Sequence, residues 1–306
     1  NPLLGKIWQV SKRRFISREE LRQQVLMASL LLLGETHDNS DHHKYQAWII
    51  KQLAVAGAKV SVAFEMINQS QGRLLKSTKF ENATDLVKLL EKTASGWEYE
   101  NYYMPIFSEA ISAGFPIVAA NLDRDSVVQI VMQGSEKIPP ELKKLLDDSP
   151  LNKAQSDSLA KEISESHCNI INQQLIEGMT AGQRVRDAAI ALALSRIDDA
   201  FIKVLIAGSG HTRLDRGVPF YLRRGYIEEG AKQEVTLTVN TASQRQTPRI
   251  LSLSWLELEE GHPNPDYYAK RWNAEKLPFD IVWFTATADR PDPCEQFSKH
   301  MQKKNK

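Results

Sequence analysis

Four short apolar runs, residues 30–33, 60–64, 116–120 and 201–207, constrain this 306-residue chain more than any other feature. Each has the length of a strand, is leucine-rich or β-branched, and shows no polar alternation. Such runs read as strands buried on both faces, the mark of a parallel sheet covered by helices. Helical patterns lie between them. Tyr45, Trp48, Ile49, Gln52, Leu53 and Ala56 share one helical face, Asn39, Ser40 or Asp41 can cap that helix, and Gly57 can end it. Further strand candidates follow at 234–239, 250–253 and 280–285. The expected fold is α/β, a mostly parallel central sheet flanked by helices.

Between Arg124 and Arg196 the strand signal disappears and helical patterns fill the gap, at 126–132, 140–146, 157–175 and 180–196. Pro139-Pro140 and Asp147-Asp148-Ser149-Pro150 punctuate them as turns. The pattern predicts a lid-like helical subdomain over 124–196, inserted in an α/β core made of 1–123 and 197–306.

Composition narrows the partners. With 39 basic and 38 acidic residues the net charge is +1, which leaves no electrostatic footprint for nucleic acid. A hydrophobic content of 42% supports a sizeable core without a disulfide or metal. No apolar run approaches the length of a membrane span. Cys168 and Cys294 either pair in an oxidising compartment or sit apart. The chain starts at Asn1-Pro2, so the lack of a signal segment is no evidence for a cytoplasmic home.

In open α/β sheets ligands bind beyond the carboxyl ends of the strands. Here the first strand runs out into Gly34-Glu35-Thr36-His37-Asp38, the second into Glu65 and Asn68, the third into Asn121-Leu122-Asp123-Arg124, and the fourth into Gly208-Ser209-Gly210-His211. Four successive ends thus deliver ionisable groups to one edge. His37, Glu65 and His211 have the chemistry to hold a divalent metal that activates water. Glu35, His37, Glu65 and His211 without a metal can provide general-base hydrolysis. The plainer reading has the acids bonding backbone amides or Arg124. His42 and His43 are neighbours on a helix and point apart, so they cannot both join one site.

Trp97-Glu98-Tyr99-Glu100-Asn101-Tyr102-Tyr103 is dense in aromatics. It reads either as a segment packed over the core or as a wall for a flat ligand, with a tyrosinate able to ligate haem iron. Gln183, Arg184, Arg186 and Asp187 fall on the helix predicted over 180–196, either as a salt-bridged solvent face or with a guanidinium anchoring a carboxylate ligand. His167 falls in line with Leu159, Ile163, Ile170 and Ile171, which places it in a core or interface, or against a ligand under the lid.

Taken in order, Gly34-Glu35-Thr36-His37-Asp38, Ala63-Phe64-Glu65-Met66, Gly96-Trp97, Ala120-Asn121-Leu122-Asp123-Arg124, Gln183-Arg184-Val185-Arg186-Asp187 and Ala207-Gly208-Ser209-Gly210-His211 through Asp215, Gly217 and Pro219 resemble the ChaN-like haem-binding lipoprotein family. That family belongs to a wider group with erythromycin esterase and the Tiki proteases. The resemblance implies a haem-binding protein of bacterial iron acquisition, lipid-anchored on the periplasmic side of the outer membrane and serving haem-uptake transport components. It also implies a homodimer enclosing stacked haems, with tyrosine on the iron and histidine nearby. Tyr99, Tyr102 and Tyr103 are the candidate ligands, with Trp97, His167, Arg184 and Arg186 as further haem contacts. In the hydrolase relatives, the positions of Glu35, His37 and His211 resemble metal-binding or catalytic residues.

Overall fold

The computed structural model describes residues 1–78, 80–93, 96–197, 200–224, 249–292 and 294–295. Its strands are β1 (Ile7–Gln9), β2 (Arg14–Ile16), β3 (Leu30–Glu35), β4 (Val60–Asn68), β5 (Ile117–Asn121), β6 (Ile202–Gly208), β7 (Ile250–Glu257) and β8 (Ile281–Thr285). The helices are α1 (Arg18–Leu26), α2 (Ser40–Val55), α3 (Gln69–Ser77), α4 (Ala83–Glu91), α5 (Met104–Ser112), α6 (Arg124–Gln133), α7 (Pro140–Asp147), α8 (Lys153–Ser166) and α9 (Gln173–Ser195). One sheet takes the order β2-β1-β8-β7-β3-β6-β4-β5. The six strands from β8 to β5 are parallel. At the other edge β1 pairs antiparallel with both β2 and β8.

The predicted α/β class and mostly parallel sheet are therefore what the chain forms. Its apolar runs earn two layers of cover by simple alternation. Leu31, Leu33, Val62, Phe64, Val204 and Ile206 face one side, under α1, α2, α4 and α5. Leu30, Leu32, Ala63 and Leu205 face the other, under the lower half of α9 and the helical turn at 218–224. At roughly 25 cal/mol per Å² of apolar surface removed from water, these two layers carry most of the fold.

Two points differ from the sequence reading. The strands β1 and β2 were not anticipated, since three residues each are too few to show a period. The single helix expected over 157–175 is broken. α8 stops at Ser166, His167 caps it, Cys168 and Asn169 adopt left-handed φ of 59° and 56°, and α9 begins at Gln173 on the Asn172 cap. A local hydrogen-bonding cap beats continued helix here, and His167 stands at a helix end rather than on an apolar stripe with Ile170 and Ile171. The strand expected at 234–239 lies outside the described residues. Cys168 is joined to Cys294 by a disulfide, with Cα atoms 5.6 Å apart.

The connections position the site. After β3 the chain turns to the face covered by α2; after the adjacent β6 it turns to the opposite face, toward Tyr221 and Leu222. Adjacent parallel strands whose connections diverge open a crevice at their carboxyl ends. Glu35 pairs in register with Gly208 at that point.

Candidate functional site

The crevice has a floor of strand-end residues. Gly34 is required there because a Cβ would stand 2.3 Å from Thr212 Oγ1 and 3.1 Å from the Ser209 backbone, so only glycine lets the loop after β6 fold across β3. That loop is pinned by the Ser209 N–H, which donates to the Glu35 carbonyl at 2.9 Å. At Gly208 a Cβ would meet His37 Nε2 at 2.8 Å, so its absence makes room for the imidazole.

Around Glu35 the contacts are dense. The Tyr103 hydroxyl donates to Glu35 Oε1 at 2.6 Å, and His37 Nδ1–H donates to the same oxygen at 2.9 Å. Glu35 Oε2 faces His43 Nδ1 at 3.5 Å. His43 Nε2–H donates to the His37 carbonyl at 3.0 Å. Burial alone would raise the Glu35 carboxyl, but the charges and hydrogen bonds of His43, His37 and Tyr103 bring it below the ordinary carboxylate range. Tyr103 moves the other way, as burial and the neighbouring carboxylates push its phenol far above the ordinary value. His42 points elsewhere. Its Nδ1 accepts from the Thr36 N–H and its Nε2–H donates to Thr285 Oγ1, and burial lowers it to about 4, which leaves it neutral.

Glu65 anchors the second half. Its Oε2 accepts from the Gly208 N–H at 2.8 Å, and its Oε1 accepts from His211 Nε2–H at 3.1 Å. Beyond it, His211 Nδ1–H donates to Asp187 Oδ1 at 2.7 Å. Burial opposes a charge on His211, yet two flanking carboxylates overcome it and hold the imidazolium up to about 10. Asp187 thus belongs to the site rather than to a solvent face. Sequence reasoning missed it, although its place among Val185, Ala188 and Ala189 on an apolar stripe was a usable signal.

Glu35, His37, Glu65 and His211 do converge, as the strand-end rule implies. They do not suit a divalent metal. Both His211 nitrogens are spent on carboxylates, and His37 Nε2 is 4.0 Å from Glu65 Oε2. Among the described residues no group of three His, Cys, Asp or Glu could hold a metal ion. The expectation of a metal on His37, Glu65 and His211 therefore finds no support among the described residues.

Above the floor opens a cleft of about 750 Å³. The upper half of α9 (Leu175, Met179), α6 (Val127, Val131, Met132) and α8 (Leu159, Ile163) wall it with apolar side chains, and His37, His167 and Arg186 also line it. On the floor His37 is the imidazole that reaches the space, with 39% of its side chain exposed. Burial lowers its basicity, but the Glu35 hydrogen bond and the charges of Glu65 and Glu35 raise the net value above the usual one. Trp97 meets His37 edge-on at 4.8 Å.

The other sequence candidates are distributed differently. Tyr99 and Tyr103 are wholly buried, and the Tyr99 hydroxyl donates to the Met66 carbonyl at 2.7 Å. Tyr102 is half-buried against His43. Arg184 is a structural cross-tie, donating to Tyr221 and to the carbonyls of Leu146 and Ser149. Asn68 caps α3, and Asp123 accepts from Ser70. They organise the edge without entering the cleft.

A parallel α/β sheet with an acid-buttressed imidazole beneath an apolar, helix-walled cleft defines a ligand-binding protein of the strand-end type. Over residues 21–222 the chain matches the family described as haem-binding uptake, Tiki superfamily, ChaN, and it belongs to that family. Among solved structures it is similar to ChaN of Campylobacter jejuni, described for its cofacial haem binding, at 20% identity and a TM-score of 0.63, covering 90% of this chain and 95% of that one. At that identity the likeness shows the fold. Weaker likenesses reach the type III effector HopBA1 (13% identity, TM-score 0.46, 88% and 92% covered) and a mutant of the erythromycin esterase EreC in its open conformation (15%, 0.42, 95% and 86%). No curated protein sequence matches the chain.

Proposed function

We propose that this chain binds haem in the cleft above β3 and β6 and serves bacterial iron acquisition. The observation that carries the reading is the cleft itself: about 750 Å³, apolar on its helical walls, with one accessible imidazole on a polar floor. That volume lies within the range of cofactor sites, and apolar walls with a few placed polar groups are their usual lining. Haem is the cargo here, and this chain's part is to hold and orient it. His37 suits contact with the iron, since Glu35 fixes its Nδ1–H and leaves Nε2 as the basic nitrogen. Of the three tyrosines, Tyr102 is the one with partial exposure, and it is our candidate for a tyrosine ligand at a subunit interface. Val128 and Met132, exposed beside the cleft, support a second copy of the chain covering the bound haem. The disulfide supports an oxidising compartment, in keeping with a lipid-anchored protein on the periplasmic side of the outer membrane that passes haem to uptake components.

A hemin titration tests this. A Soret band should appear at stoichiometric hemin, with its position or intensity changed in His37→Ala and in Tyr102→Phe, and sizing should show a dimer in the loaded state. Wild-type protein that leaves the free-hemin spectrum unchanged would overturn the reading.

A second reading rests on the same floor. The Glu35–His37 pair faces the cleft and is arranged as an oriented general base, with Glu65 and His211 behind it, so metal-free ester or peptide hydrolysis is the alternative chemistry. It requires turnover that disappears in folded His37→Ala, and a broad panel of esters and peptides left intact by the wild type would end it.

A further inference from the structure

We propose that Arg186 and Arg124 form a carboxylate-reading end of the cleft, so that it selects a porphyrin with free propionates over the same ring with those groups masked. The inference rests on the cleft being the porphyrin site and specifies which part of the ligand lies where.

The helix register provides the placement. A Cβ on Gly178 of α9 would stand 2.3 Å from the Val131 carbonyl of α6. On Gly182 it would stand 2.8 Å from Val131 Cγ2 and 3.5 Å from Val127 Cγ1. As α9 advances one turn, its partner on α6 therefore steps back toward Val127, so the helices run antiparallel in close contact. One more turn brings Arg186 level with the start of α6, where Arg124 sits. Both arginines line the cleft. Leu175 and Met179 lie at its other end, with Val131 and Met132. The cleft is polarised: two guanidiniums near the strand ends, hydrocarbon away from them.

Among the described residues neither guanidinium is ion-paired; Arg186 is half-buried and Arg124 is exposed at the rim. The nearby acids are already engaged, Asp187 and Glu65 by His211, Glu35 by His37 and Tyr103, and Glu162 by Arg213 and Arg216. Among the described residues no carboxylate lies within ion-pair distance of Arg124 or Arg186. Arg186 Nε is moreover a buried donor without a hydrogen-bond partner. An unmade buried donor on a cation is a standing cost, which a ligand carboxylate would relieve. The planar fork of arginine matches a carboxylate in bidentate geometry, and one fork for each propionate accounts for two arginines at one end.

The test uses metal-free protoporphyrin IX and its dimethyl ester, followed by porphyrin fluorescence, with hemin in parallel. Wild-type protein should bind the free acid roughly ten- to a hundredfold more tightly than the ester, the range expected for charge-assisted hydrogen bonds. Arg186→Gln and Arg124→Gln should each weaken the free acid and leave the ester unchanged, with Arg186→Lys restoring part of the loss. Equal affinity for acid and ester, or arginine variants that lower both alike, would overturn the inference. Hemin that binds with a His37-dependent spectrum but no ester discrimination would refute this inference alone. Acid-over-ester discrimination with a hemin spectrum indifferent to His37 would refute only the iron contact. Protein that binds none of the porphyrins refutes both.

Discussion

Replacing Asp187 by Asn tests the charge state on which the floor of the cleft depends. Wild-type His211 lies between two buried carboxylates, 2.7 Å from Asp187 and 3.1 Å from Glu65. Removing one leaves a buried imidazolium half-compensated, a change that costs roughly 3–5 kcal/mol. Linkage gives the pH dependence. His211 titrates near 6.5 in the unfolded chain and is held to about 10 in the fold by Glu65 and Asp187 together. A raised folded value contributes stability that is complete below the unfolded value and disappears as pH rises through the folded one. Guanidinium unfolding of oxidised protein at several pH values should therefore show Asp187→Asn less stable by several kcal/mol near pH 6, with the gap closing toward pH 10. A gap that stays constant across that range would mean a neutral imidazole and an ordinary hydrogen bond, and the argument for a clamped cation would fail.

Three further outcomes are expected. Gly178→Ala gains about 1 kcal/mol of helix propensity but forces a methyl onto the Val131 carbonyl, so thermal unfolding should show a net loss of up to about 2 kcal/mol. Reducing the Cys168–Cys294 disulfide, which closes a separation of 126 residues, should cost up to roughly 4.7 kcal/mol, read as a lower denaturation midpoint in reductant. Hemin affinity should fall as pH drops through the raised His37 value, because a proton then occupies the nitrogen the iron needs; the same titration on His37→Ala should be flat.

Much of this was legible because the buried strands are continuous apolar runs whose ends are punctuated by glycine. Glu35, His37, Glu65 and His211 could be brought to one edge from that pattern alone, since a parallel sheet leaves its carboxyl ends together. The pattern could not show which partner each group takes. Asp187 and Arg184 sit three residues apart on one helix and read alike as surface charge, yet one clamps His211 and the other ties α7 to α9 through the Leu146 carbonyl. The tyrosines were harder still. Tyr99 to Tyr103 form one π-helical turn that buries its first and last rings, a geometry without a sequence period to reveal it. The break after α8 depends on a cap and on a disulfide partner more than a hundred residues away, and no local rule contains that second fact.

The two long walls of the cleft are fastened by different physics. α9 continues downward into the apolar layer on the sheet, so displacing it means exposing Val185, Ala188 and Ile190 to water. By contrast α8 is held by a small apolar cluster, by Glu162 to Arg213 and Arg216, by Ser158 on the Trp272 and Asn273 carbonyls, and by the disulfide just past its end. The two walls of one cleft thus answer to different chemistry: reductant cuts the covalent tie at the end of α8 and leaves the seat of α9 on the sheet untouched.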